Sequence, residues 1–344
     1  MREIIQKLNN GASLTDGELL CLLSAEGDDL RKLLSAAREC ADVVYGKKVF
    51  ARGLIEISSY CENDCLYCGI RKSNKNAERY RLSREEIVSC AEYGYSVGFR
   101  TFVLQGGEDS TLTDDFICDV VREIKHRFPD TAVTLSLGEK SRDSYCKMKE
   151  AGADRYLLRH ETADAEHYGR LHPRSLTLEN RMRCLYDLKE LGYQTGAGFM
   201  VGSPYQTTAH IVRDLRFIEA FKPQMVGIGP FIPHKDTPFR HMPAGSVDLT
   251  LKCLAIVRLI HPHVLLPATT ALGSLEQGGR ERGILAGANV VMPNLSPTEV
   301  RQKYSLYNGK QSLGAESVEG LTELKKSLSD IGYELSFDRG DYIG

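Results

Sequence analysis

The fold this sequence predicts is α/β: a (β/α)8 TIM barrel over residues 51–307, with an N-terminal helical extension over 1–50 and a short C-terminal appendage over 308–344. Three observations carry the prediction. Short apolar runs alternate eight times with helix-patterned stretches, which implies parallel strands joined by right-handed crossovers. Gly recurs where a helix ends and a strand begins, in Gly94–Gly98, Ala151-Gly152-Ala153-Asp154, Leu191-Gly192-Tyr193 and Ala286-Gly287-Ala288-Asn289. No linker or low-complexity segment divides the chain between residues 50 and 310.

In chain order, the first fifty residues read as helices. Leu30, Leu33, Leu34, Ala37 and Ala41 fall at i, i+3, i+4 spacing, and Thr15 or Asp16 is placed to cap the first helix. Leu54–Ile57 is the first strand. A polar, cysteine-bearing loop follows, and then Ser83 and Glu86 form a capping-box pair at the start of a helix running to Gly98. The other strands are Thr101–Leu104, Ala132–Leu137, Arg155–Leu158, Thr195–Val201, Val226–Ile228, Val264–Leu266 and Val290–Met292. Helices fill the gaps, from Ser141 to Ala151, up to Leu191 and up to Phe221, and the tail carries one more around Leu321–Ile331.

Composition narrows the function. A chain of 344 residues holds one barrel of this size with extensions. With 42% hydrophobic and 26% charged residues and no apolar run near about 20 residues, it is not expected to span a membrane. The start, Met1-Arg-Glu-Ile-Ile-Gln-Lys7, has no apolar leader core, so a cytoplasmic location is expected. A net charge of −2, a pI near 6.5 and the lack of a Lys/Arg block give no footprint for nucleic acid; a small-molecule or protein partner is expected instead. Of the ten cysteines, Cys21, Cys40, Cys90, Cys118, Cys146, Cys184 and Cys253 mostly sit in helix-like stretches, where a free Cys acts as a small hydrophobe.

The chemistry begins at Cys61-Glu-Asn-Asp-Cys65-Leu-Tyr67-Cys68-Gly69. Three soft thiolates suit iron–sulfur or zinc, and a structural zinc site would want a fourth Cys or His close by, which this loop lacks. An iron with one open coordination position is the better reading. The competing readings are a disulfide pair, an incomplete zinc knuckle, or three thiols that merely pack. Tyr67 adds an aromatic just before the last cysteine.

In such barrels reacting groups come from the C-terminal ends of the strands, and those ends are polar here. Gln105-Gly106-Gly107-Glu108 follows the second strand, and its glycines let a ligand approach the backbone. Ser136-Leu-Gly-Glu139 follows the third and Arg159-His160-Glu161-Thr162 the fourth; the latter group is either a surface ion pair worth under about 1 kcal/mol or a holder of a polar ligand. Arg181, early in a helix, is either a bidentate grip on a carboxylate or half of an i, i+4 ion pair. Met200 and Ile228 are core residues unless a flat base is sandwiched there. Thr269, Thr270 and Asn294 complete the ring of strand ends.

The cysteine triplet resembles the signature of the radical S-adenosylmethionine (SAM) superfamily, in which three Cys hold a [4Fe-4S] cluster and the methionine part of SAM takes the fourth iron. Beyond it, the phrases RHETAD, LENR, GAGFMVG, VGIGPFIPH, PATTALG and ANVVMPN resemble the [FeFe]-hydrogenase maturase HydE family, related to biotin synthase and methylornithine synthase. That resemblance implies one [4Fe-4S] cluster on Cys61, Cys65 and Cys68, and SAM held by Tyr67, Gln105, Gly106, Gly107, Glu108, Ser136, Glu161, Arg181, Met200 and Ile228. It also implies a substrate cavity lined by Arg159, Thr269, Thr270, Tyr304 and Tyr307. The reaction it implies is reductive cleavage of SAM to a 5′-deoxyadenosyl radical, which attacks a cysteine-ligated iron carbonyl/cyanide precursor. Implied partners are that small organometallic substrate, other hydrogenase maturation proteins, and a reductant such as ferredoxin or flavodoxin.

One departure matters. Many HydE proteins carry a second cysteine cluster after a Tyr-x-x-Tyr-x-Gly element like Tyr304-Ser-Leu-Tyr307-Asn-Gly309, yet no Cys follows Cys253 here. A second cluster in the tail is thereby excluded. Two other readings stand beside the maturase: a radical SAM amino-acid mutase, and a non-catalytic iron–sulfur carrier, which would have no use for Glu161 and Arg181.

Overall fold

The computed structural model describes residues 1–344. Its strands are β1 (Lys48–Ala51), β2 (Gly53–Ser58), β3 (Thr101–Gly106), β4 (Ala132–Ser136), β5 (Arg155–Leu157), β6 (Gln194–Ala197), β7 (Met200–Val201), β8 (Met225–Val226), β9 (Gly229–Pro230), β10 (Val290–Val291) and β11 (Glu334–Ser336). Strands β2-β3-β4-β5-β6-β8 form one sheet with every pair parallel. Single parallel bridges, Met225 to Leu265, Pro267 to Val290 and Asn294 to Leu54, carry the ring on through residues 264–267 and 290–294 and back to β2. The chain is therefore a closed (β/α)8 barrel. Its seventh stave touches its neighbours by bridges rather than a ladder, because Pro267 has no N–H to extend one.

The predicted helix starts hold. Ser83 and Glu86 form a reciprocal capping box at Arg84–Ser96, and Ser141 caps Arg142–Glu150. At the N-terminus, Thr15 rather than Asp16 is the cap, but of Asp16–Leu23; a helix over Arg2–Asn9 precedes it. Helix Gly27–Tyr45 buries Leu33, Ala37 and Ala41 and packs on helix Val247–Ile260.

The segments flanking the barrel are woven into it. Strand β1 lies between β10 and β11, so the tail pairs in parallel with residues 48–50. Past β11 the chain crosses the N-terminal end of the barrel. There Arg155, fully buried, donates to Asp341 Oδ1 at 2.7 Å and to the Arg339 carbonyl at 2.9 Å, and Thr101 Oγ1 donates to that carbonyl at 2.7 Å. The barrel floor is thus closed by the last residues of the chain.

Side chains alternate between the interior and the helices, which decides what the mouth presents. Cross-strand register sets Glu56, Gln105 and Ser136 side by side at the C-terminal ends of β2, β3 and β4. His160 turns outward, fully buried, against Asp214 (3.2 Å) and Phe217 of helix Thr208–Phe221, so Arg159 and Glu161 turn inward.

Candidate active site

The cysteine loop runs from the end of β2 across the mouth and is pinned along its length. Arg79 donates to the carbonyls of Ile70 and Arg71, each at 2.7 Å, and to that of Ser59. Asp64 accepts from Arg71 Nε at 2.7 Å and from the Ser73 N–H at 3.0 Å, which holds its carboxyl well below the usual range. Backbone bonds stitch the loop outward: Glu62 N to Glu108 O (2.8 Å), Leu66 N to Leu171 O (2.9 Å) and Gly69 N to Leu306 O (2.8 Å). A Cβ at Gly107 would stand 2.1 Å from Tyr60 O and 2.7 Å from Cys61 Cβ, so only glycine lets these two loops touch.

The three thiols are unpaired and largely shielded. Burial pushes Cys68 up to about 12 and shifts Cys61 and Cys65 the same way, a cost that a bound cation would offset by favouring the thiolates. No three or more His, Cys, Asp or Glu side chains gather round a single-ion position. Thiolates that grip different irons of a cube have no need to converge on one point.

Beside the loop lies a charged cluster. Arg159 Nη2 is 3.0 Å from Glu161 Oε2, and Arg181 Nε is 2.6 Å from Glu139 Oε1. None of these four atoms makes an aligned hydrogen bond, and Arg159 Nε is unmatched too. The two ion pairs gather two guanidiniums and two carboxylates in one buried patch, a charged surface suited to the polar groups of a ligand. Glu161 also holds left-handed backbone, φ 64°, uncommon for a residue with a Cβ and frequent at functional sites. Gly138 (φ 77°) leaves room for Glu108, whose Cγ would lie 2.0 Å from a Cβ there; burial raises the Glu108 carboxyl.

An apolar patch adjoins the polar one. Tyr67 packs with Met200, Leu171, Phe231 and Phe239, and its hydroxyl meets His172 Nε2 at 3.2 Å. His172 Nδ1 donates to the Tyr168 carbonyl at 2.9 Å, so Nε2 accepts the Tyr67 proton, and burial lowers this histidine to about 3. Ile228 is not in this patch: it has no exposed surface and belongs to the main core.

Deeper in the mouth, Gln105 Nε2 reaches the Tyr304 hydroxyl at 3.4 Å, and Ser136 stands next to Gln105 in register. Gly106 makes only ordinary contacts, with Ile57, Leu137 and Ser58 O. Thr269 Oγ1 donates to Ile228 O at 3.4 Å, whereas Thr270 is tied to the tail through Glu316 Oε2 at 2.8 Å. Tyr307 is partly buried, which raises its hydroxyl, and lies within the fields of Glu56, Glu316 and Arg159.

Glu56 and Lys310 had no role in the sequence reading, and Glu139 stood there only as part of the polar end of the third strand. Glu139 is the partner of Arg181, which therefore makes no i, i+4 ion pair. Glu56 was legible as a lone charge within the apolar run Leu54–Ile57. Lys310 had no local signal.

The Radical SAM superfamily model matches residues 55–218, the span from β2 to helix Thr208–Phe221. With the cysteine loop at the mouth of a parallel barrel, this defines a radical SAM enzyme, whose cofactors are a [4Fe-4S] cluster and SAM. The [FeFe] hydrogenase maturase subunit HydE of Thermotoga maritima is 48% identical over 90% of this chain and 88% of its own. The chain belongs to the HydE family. The 3-methylornithine synthase of Methanosarcina acetivorans is 32% identical over 83% of this chain and 81% of its own. The crystal structure of methylornithine synthase (PylB) superposes with a TM-score of 0.85 at 28% identity, covering 97% of both chains. No helix is long and apolar enough to cross a membrane.

Proposed function

We propose that this enzyme acts in maturation of the di-iron subcluster of [FeFe]-hydrogenase, on a cysteine-ligated iron carbonyl/cyanide precursor. The observation that carries the reading is a two-part mouth. A patch of buried ion-paired groups, Arg159 with Glu161 and Arg181 with Glu139, and an apolar patch flank the cysteine loop, while Glu56, Gln105 and Ser136 stand side by side in register on β2, β3 and β4. When bound, SAM and the reduced cluster supply a 5′-deoxyadenosyl radical. Cys61, Cys65 and Cys68 hold the cluster. Glu161, Arg181 and the Gln105–Glu108 turn would hold the polar parts of SAM, and Tyr67 and Met200 would meet its base. Arg159, Thr269, Thr270, Tyr304 and Tyr307 line the substrate cavity, and the shielded mouth keeps water from the radical.

The similarity to the Thermotoga maritima maturase supports this assignment. The proposed partners are the other maturation proteins and a small reductant such as ferredoxin or flavodoxin, in the cytoplasm. The likeness to methylornithine synthase favours one alternative, an amino-acid mutase whose carboxylate clamp is Arg159. The test is [FeFe]-hydrogenase activity in a host without its own maturation system, with this gene supplied as wild type or with the triplet cysteines changed to Ala. Activity with the wild type alone supports the maturase. Equal activity in both, or none while a known maturase succeeds, replaces it with the mutase.

A further inference from the structure

Glu56 sits in an otherwise apolar strand with no exposed surface, and its carboxylate takes Lys310 Nζ at 2.6 Å and Asn294 Nδ2 at 2.9 Å. A buried ion pair returns little more Coulomb energy than desolvation costs, so stability alone is a weak reason to keep one. Its position offers another. Glu56 belongs to the polar layer with Gln105 and Ser136, and only β3 and β4 separate its strand from β5, which leads into Arg159.

Lys310 reaches that layer from a segment laid across the mouth. The segment is fixed by Leu306 O to Gly69 N (2.8 Å), Ser305 Oγ to His234 Nε2 (3.2 Å) and Asn308 N to Pro233 O (3.2 Å). The Lys310 side chain is only 11% exposed, and its ammonium lies 5.1 Å from the Tyr304 ring centroid. An ammonium has three donors; Glu56 uses one, and the other two have no protein acceptor. Arg159 Nε likewise has no acceptor. Since Arg159 is matched by Glu161 and Lys310 by Glu56, the layer selects through directed N–H groups rather than net charge.

We propose that Lys310 is a substrate-positioning residue: it presents its ammonium to the carboxylate or other anionic end of the substrate, as a second cation in addition to Arg159, and Glu56 with Asn294 holds it there. This rests on the reading of the polar layer as the substrate cavity. Because Lys310 belongs to the segment laid across the mouth, that segment also completes the site.

The test is steady-state kinetics of the reconstituted enzyme with SAM, a reductant and a synthetic cysteine-ligated iron carbonyl cyanide complex as probe, following probe consumption. Lys310→Met should raise KM for the probe roughly ten- to hundredfold, the loss of one charge-assisted bond, with kcat within a few-fold and the SAM-bound cluster spectrum unchanged. Lys310→Arg should recover part of the loss. The double variant Glu56→Gln/Lys310→Met leaves no unpaired buried charge and should regain stability while keeping the high KM. A wild-type KM in either Met-bearing variant overturns the inference, leaving Lys310 a structural pin. A wild-type enzyme that cleaves SAM yet leaves the probe untouched overturns the substrate reading, and this inference with it.

Discussion

Arg181 Nε stands 2.6 Å from Glu139 Oε1, and the two side chains are 9% and 8% exposed. The pair joins the start of helix Leu178–Glu190 to the loop after β4, and Asn180 Nδ2 takes the other Glu139 oxygen at 2.5 Å. Glu139 thus aims the guanidinium at the mouth. Arg181→Ala should weaken SAM binding roughly ten- to hundredfold, the worth of one charge-assisted contact, and leave the cluster bound. Glu139→Gln should weaken it less, since the arginine stays. SAM titrations followed by the cluster's electron paramagnetic resonance decide this; unchanged affinity in Arg181→Ala makes the pair purely structural.

Gly107 ties the cofactor loops together. The site for a Cβ lies 2.1 Å from a backbone oxygen, which cannot yield as a flexible side chain would. Gly107→Ala should therefore displace the cysteine loop and lower iron content well below the four per chain expected of one [4Fe-4S] cluster, while far-ultraviolet circular dichroism keeps its barrel signature. Changing all three triplet cysteines to Ala should remove the iron entirely. About eight irons per reconstituted chain would show a second cluster that no cysteine spacing accounts for.

The barrel was legible because its signals are local: short apolar runs between helical stretches, glycines at helix ends, caps such as Ser83 and Glu86. The cysteine loop was legible for the same reason. The mouth's electrostatics were not, because they are made by distant pairs. Arg181 and Glu139 belong to different barrel units, and Glu56 meets Lys310 from the other end of the chain. Strand β11 and the floor closure escaped notice likewise, since Glu334–Ser336 pairs with β1 and not with any near neighbour. Ile228 shows the converse, an apolar residue whose local pattern fitted core and cofactor contact equally.

The floor closure yields its own test. Arg155 is fully buried, and Asp341 is the only carboxylate within ion-pair distance of it. Losing the partner of a buried charge is costly, but Asp341 is 39% exposed, so solvent screens part of the attraction. Asp341→Ala should cost about 1–2 kcal/mol in urea unfolding. SAM affinity should not change, because the floor lies at the opposite end of the barrel from the mouth. A variant as stable as the wild type would mean that the Arg339 carbonyl and Thr101 Oγ1 suffice for Arg155.

His261, far from the cofactor loops, gives a pH dependence with a definite sign. Its Nε2 faces the Pro223 carbonyl at 3.1 Å, and a carbonyl only accepts, so that nitrogen carries a proton. Burial chiefly, with Arg258, His263 and Lys222 nearby, lowers it from 6.5 to about 4. Below pH 6.5 the unfolded chain takes a proton that the folded chain refuses until about pH 4. The stability tied to this residue is therefore present above pH 6.5 and lost as pH falls, by about 1.4 kcal/mol per unit. His261→Gln keeps an N–H donor and cannot titrate. Whatever the substitution costs at pH 7, the gap between variant and wild type should narrow or reverse by about 2 kcal/mol at pH 5. Urea unfolding followed by circular dichroism suits a chain without tryptophan, and subtracting the two curves cancels any acid sensitivity of the cluster common to both. If wild type and variant lose stability in parallel between pH 7 and 5, the fold does not hold His261 neutral.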